Sequence, residues 1–300
     1  MSLIAFLGAL ELGLIYGLVA LGVFLSFRVL NFPDLTVDGS FPLGAAVAAS
    51  AIVTGIDPYL GTLLAMLAGA LAGLVTAILN VRFHILHLLA SILTMIALFS
   101  INLRIMGRPN IALLTEQTVL TPLVPLGIWM PVLKVLAVGV VALVAALLLI
   151  RFLASDYGLA MRATGANPRM ARAQGVQTGP TILVGMALSN ALVALAGALF
   201  AQTAGFADIS IGTGTIVVGL AAVIVGETIL PARRIGMVVL ACLLGSILYR
   251  LAVALALNSD VLGLTASDLN LVTAVLVGLA LILPSARNPL KALLARRATP

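Results

Sequence analysis

Charge is what this chain has least of. Only 9% of its 300 residues are Asp, Glu, Lys or Arg, while 62% are hydrophobic. A soluble domain carries roughly 25% charged residues, so a water-facing globule of ordinary surface polarity is excluded. One cysteine, Cys242, excludes an internal disulfide, and its apolar setting makes it a small hydrophobe. Only two histidines are present; the spacing of His84 and His87 puts both on one helix face, with no third metal ligand near in sequence. No G-x-x-x-x-G-K-[ST] loop occurs, so ATP-driven work would need a nucleotide-binding partner chain. No His/Asp/Glu/Ser cluster has metal or nucleophile spacing, which argues against a membrane-embedded enzyme. The net charge of +6 lies in short segments between apolar runs and forms no patch for nucleic acid.

What is there is apolar sequence in lengths suited to a bilayer, about 20 residues per spanning helix. Nine segments qualify or nearly so: Leu3–Phe27, Ser40–Thr54, Tyr59–Asn80, Phe83–Leu103, Trp129–Phe152, Gly179–Thr203, Thr213–Leu230, Ile235–Asn258 and Leu269–Leu283. The second, seventh and ninth are short, as tilted or broken helices are, and such spans often mark a transporter's substrate path. The first has no basic residue before Arg28 and exceeds a signal peptide's apolar core, so it reads as a retained transmembrane helix. Basic residues orient the whole. With the N-terminus outside, twelve of sixteen fall on the inner face: Arg28, Arg82, Arg151, Arg162, Arg169, Arg172, Arg233, Arg234, Arg287, Lys291, Arg296 and Arg297. The expectation is an all-α polytopic bundle of about nine spans, N-terminus out and C-terminus in. Residues 1–300 form a single domain, with a basic tail at 287–300 held near anionic lipid.

One polar island interrupts the pattern, Ser155–Thr178, reading SDYGLAMRATGANPRMARAQGVQT. Asp156 after Ser155 starts a short helix with an acid suited to the helix dipole. Gly165 ends that helix. Asn167 and Pro168 start a second one, and Gly175 stops it. Arg162, Arg169 and Arg172 project from the pair. From the residues alone this is either a topology-fixing connector or a docking surface.

The string Gly158-x-x-x-Arg162-Ala163-x-Gly165-x-Asn167-x-x-x-Ala171-x-x-x-Gly175 resembles the coupling loop of ABC importer permeases of the branched-chain amino acid and ribose type. The segment Phe32–Gly44 (FPDLTVDGSFPLG) resembles the same family, nearest its subgroup linked with aromatic amino acid uptake. The helix–break–helix order over Gly219–Leu248 is similar too. The extra first helix of sugar permeases is absent, and the family's glycine-rich break is here Gly226-Glu227-Thr228 and Pro231-Ala232-Arg233-Arg234. The resemblance implies a permease subunit of an ATP-driven importer for a small amino-acid-like solute, in a bacterial inner membrane. Its implied partners are cytoplasmic ATPases that hold ATP and Mg, an extracytoplasmic solute-binding protein and a second permease copy. Its implied docking residues are Asp156, Gly158, Arg162, Gly165, Asn167, Arg169, Arg172 and Gly175.

Ionisable and amide groups inside spans raise a functional question by default. Asp34, Asp38, Ser40, Asn102, Asn190 and Glu227 are candidates for the translocation path. Each has a structural alternative: Asp34 pairing with Arg28, Asp38 capping the Ser40 helix, Glu227 pairing with Arg233 or Arg234, and the two amides bonding between helices. Glu11 is read as structural, and Arg250 as snorkelling outward or pairing with Asp260 or Asp268. The rival function is a secondary transporter that uses Asp34, Asp38, Glu11 or Glu227 as ion sites. Gly39–Gly55 and Gly212–Gly226 share a texture that hints at an internal repeat.

Overall fold

Lipid offers no hydrogen bonds, so a spanning backbone must satisfy its own N–H and C=O groups, as helices do. The computed structural model describes residues 2–230 and 234–257 and the isolated helical positions 275 and 278. Its helices are α1 (Leu3–Val23), continued by a π-helical turn over Phe24–Val29, then α2 (Val37–Val53), α3 (Pro58–Val81), α4 (His87–Met106) and α5 (Met130–Leu153). The short α6 (Asp156–Ala166) and α7 (Pro168–Ala173) come next, then α8 (Thr178–Ala204), α9 (Thr215–Ile229) and α10 (Ile235–Leu257). Six of these stretches are long and apolar enough to cross a membrane. At 17 and 15 residues, α2 and α9 fall short. Of the nine expected segments the ninth, Leu269–Leu283, lies outside the described residues except at positions 275 and 278. The all-helical expectation needs one small amendment. Strands β1 (Asn110–Ala112) and β2 (Phe206–Asp208) pair antiparallel and tie the long α4–α5 loop to the α8–α9 connection.

Local chemistry sets the boundaries. Asp57 accepts hydrogen bonds from Tyr59 N and Leu60 N, with Pro58 opening α3. The structure corrects the histidine reading. His84 sits in a turn with φ 56° and His87 opens α4, so the two do not share a helix face. Among the described residues no three His, Cys, Asp or Glu side chains are grouped for a metal ion.

The bundle is threaded crosswise: α1 packs on α9 and α10, while α8 packs on α2 and α3. Within lipid such contacts rely on close approach and interhelical hydrogen bonds, because lipid tails are as apolar as the side chains. The Gly69-x-x-x-Gly73 pair of α3 supplies the approach. A methyl at either position would overlap the α8 backbone at Asn190 or Met186. Both short helices begin in the interior at a shared point beside Asp38. From there α2 runs toward the ribbon, where Ile52 packs with Ile111 and Ala207, and α9 runs toward the Arg28 end.

Asp208 braces the ribbon. It accepts from Ser210 N–H and Oγ–H and from Asn110 Nδ2. The Ser210 bonds hold its carboxyl below the usual carboxylate range. A lowered folded-state pKa stabilises above the unfolded value and is lost as pH falls through the folded one. Hydrogen-exchange protection factors over 110–112 and 206–208, which divide out the intrinsic pH dependence of exchange, should therefore be constant near neutral pH and fall only below about pH 4, the unfolded aspartate value. Ser210→Ala, which removes the Oγ–H bond, should lower the protection at neutral pH and shrink its fall on acidification. Replacing Gly73 with valine should lower the detergent-phase unfolding temperature, since overpacking costs about 1–3 kcal/mol. A Gly73→Val protein that unfolds with the wild type would contradict the packing account.

Candidate functional site

The expected two-helix island is present, capped by Ser155 and Asn167. The Ser155 side chain accepts from Gly158 N, and Asp156 follows in the first turn of α6. Asn167 accepts from Arg169 N and Met170 N, with Pro168 opening α7. Gly175, at φ 85°, turns the chain out of α7. One expectation is corrected. Gly165 does not end α6, which runs on to Ala166. It is instead the point where α6 rests on the end of α1, and a methyl there would overlap the Val29 carbonyl. A second correction concerns the arginines. Arg169 and Arg172 are exposed, but Arg162 turns toward the bundle with its Nε buried. The exposed surface of the pair adds Leu159 and Met170 to Arg169 and Arg172, an apolar and basic mixture suited to a protein partner.

The interior candidates fall into one connected cluster and three separate contacts. Asn190 of α8 donates to Asp34 Oδ2 at 2.8 Å and accepts from Ser40 Oγ at 2.7 Å. Asp34 also accepts from Thr36 N at 2.9 Å, and Thr36 bonds Thr76 of α3. The cluster is buried and joins the α1–α2 segment to α2, α3 and α8. Asn102 of α4 donates to Gly39 O at 3.2 Å, tying α4 to the first turn of α2. Asp38 does not cap its own helix. Its two carboxylate oxygens accept from Gly214 N at 3.2 Å and Ile216 N at 2.8 Å, so it caps α9 from across the bundle. A carboxylate there meets unsatisfied N–H groups and the positive end of the helix dipole together.

Glu227 is the other exchange of partners. Its carboxylate takes both Arg28 Nε and Arg28 Nη2 at 2.7 Å, a two-armed pair linking the end of α9 to the π-turn. Arg28 is thus not the partner of Asp34, nor Arg234 that of Glu227. Glu11 has Lys134 and Thr203 as its electrostatic neighbours. The guanidinium of Arg250 lies 3.8 Å from the Tyr16 ring centroid, a contact unforeseen in the sequence. Tyr16 begins a row of rings that continues through Phe41 and Phe200 to Phe206.

Among the described residues, a two-helix platform, six long apolar helices and a buried polar cluster make up a polytopic helical membrane bundle. A family model described as the permease component of branched-chain amino acid transport systems matches residues 5–286. A tyrosine transport system permease protein of Clostridioides difficile (strain R20291) is 36% identical over 264 residues, covering 88% of this chain and 86% of that protein. An uncharacterized protein of Rickettsia prowazekii (strain Madrid E) is 33% identical over 277 residues, covering 91% and 95%. No solved structure matches. The chain belongs to the branched-chain amino acid transport permease family. It is a multi-pass permease subunit of an ABC importer, a family that works with ATPase and solute-binding partners.

The Asp38 cap can be tested. Asp38→Ala should destabilise the folded bundle by about 1–2 kcal/mol, the usual cost of a lost N-cap. Asp38→Asn, which keeps an acceptor, should cost less and retain most transport. Loss of transport in a well-folded Asp38→Asn variant would favour an ion site at this carboxylate.

Proposed function

We propose that two copies of this chain enclose the translocation path of an amino acid importer in the bacterial inner membrane. Each chain crosses nine times with its N-terminus outside, so that α6 and α7 face the cytoplasm. The basic residues that fall on that face support this orientation. The ATPase subunits, which hold ATP and Mg, dock on Asp156–Gln177 through Arg169, Arg172, Leu159 and Met170. Gly158, Asn167 and Gly175 shape that platform. The observation that carries the reading is the packing of Gly165 against Val29 and Leu30. It seats the exposed helix pair on the chain segment that leads directly to Asp34 and α2.

In this reading a displacement of α6 reaches the interior through a short rigid path. Val29 ends the π-helical turn, and such turns recur at functional sites. Asp34, Ser40 and Asn190 fasten the α1–α2 segment to α8, while Asp38, Asn102 and Glu227 hold α2 and α9. These residues flank the path by positioning the two short helices. The solute is an amino acid with an aromatic side chain. The name of the Clostridioides difficile relative supports that class. The ion-gradient alternative needs a carboxylate open to a cation; Asp34, Asp38 and Glu227 are engaged with partners within the chain, and Glu11 has Lys134 and Thr203 beside it.

Two substitutions separate docking from transmission. Arg169→Glu with Arg172→Glu should abolish co-purification of the ATPase. Gly165→Val should retain the ATPase but cut solute-stimulated ATP hydrolysis by about 5- to 150-fold, the range of ordinary coupling energies. A Gly165→Val complex with wild-type stimulation would overturn the proposed route.

A further inference from the structure

Arg162 is the one arginine of the island that turns inward, and it opens onto a cavity. The cavity, ≈ 370 Å³, lies between the π-turn of α1, the end of α6 and the start of α10. Arg28, Asn31 and Arg162 form its polar side; Phe24, Phe27 and Val238 are among its apolar walls. Its charge does not balance. Arg28 is neutralised by Glu227 through two hydrogen bonds. Arg162 has a buried Nε without a hydrogen-bond partner among the described residues. The island's single acid, Asp156, sits in the first turn of α6, and Arg162 lies further along the helix. A guanidinium with a buried, unsatisfied N–H calls for an oxygen anion.

The walls indicate which anion. A cytoplasmic protein's carboxylate would need only the polar rim, but most of this cavity's lining is apolar. Phe27 is itself exposed at its mouth. On α10 the residue next to Val238, Met237, is exposed and begins an apolar face that continues through Leu240, Leu244 and Leu248. A basic recess opening onto an apolar helix face suits a phosphate headgroup whose acyl chains run along the helix. Basic pockets between spanning helices bind anionic lipid in this way.

We propose that this cavity is a binding site for the phosphate of an anionic phospholipid, held by Arg162 with Asn31 beside it. It lies against Gly165 and Val29, so an occupied site fills the space beside the contact through which α6 meets α1. The inference is independent of the transported solute and of ATPase docking.

The test uses the intact importer complex in nanodiscs of phosphatidylcholine containing a minority of phosphatidylglycerol. Native mass spectrometry reads the phosphatidylglycerol retained per permease. Arg162→Gln should weaken retention about fivefold, the effect of one arginine near an anionic surface. Arg162→Lys should restore part of it, and Arg82→Gln at the exposed end of α3 should leave it unchanged. A second readout keeps Arg162 in place. Phe27→Trp fluorescence should be quenched more by brominated phosphatidylglycerol than by brominated phosphatidylcholine. Equal retention in wild type and Arg162→Gln, or equal quenching by the two lipids, would overturn the proposal. Displacement of the lipid by inorganic phosphate would also overturn it, by making the site one for a free anion.

Discussion

Asn190 is the side chain on which the interior depends. One amide holds three pieces of chain: it donates to Asp34, accepts from Ser40 and returns to its own helix at Met186 O. Each partner is buried, so loss of any one would leave a polar group without water to replace it. The amide can sit there only because α3 presents glycine to the same stretch of α8. Gly73 lies against Asn190 Nδ2 and Gly69 against the Asn190 carbonyl. Close packing and hydrogen bonding thus support each other, which is how helices associate where no hydrophobic gain is available.

From that centre the two short helices acquire their meaning. α2 and α9 leave a common point in opposite directions, and Asp38 joins their beginnings by capping one from the other. Arg28 and Glu227 close the far end of α9 on the π-turn. That pair is partly exposed, and exposed pairs contribute only about 0–1 kcal/mol, so its value is positional. Gly165 adds the last link by seating the platform on the residue after Arg28. Platform, π-turn, polar cluster and both short helices form one continuous packed route.

Much of this was legible in the chain because local rules wrote it. Ser155, Asn167, Pro168 and Gly175 announce the helix pair through capping and turn chemistry that acts over three or four residues. Apolar length marked eight of the segments that the structure describes as helices. The site's long-range pairings were not legible. Arg28 and Glu227 are separated by 199 positions, and Asp38 and Ile216 by 178. In both cases a nearer partner in sequence was the natural choice, and the three-dimensional threading overrode it. Gly165 misled for a related reason. A glycine beside Asn-Pro looks like a helix stop, while its role here is to let two backbones touch. Arg162 looked like its two neighbouring arginines, and only its side of α6 separates it from them.

The claim that α6 and α7 form the cytoplasmic seat of the ATPase can be tested directly, because the chain's single cysteine, Cys242, is buried. A cysteine introduced at exposed Met170 would then be the reactive thiol. In the assembled importer this cysteine should cross-link to the ATPase subunit, with a yield that changes on ATP binding. Cross-linking to the solute-binding protein instead would place the helix pair on the opposite face and contradict the account.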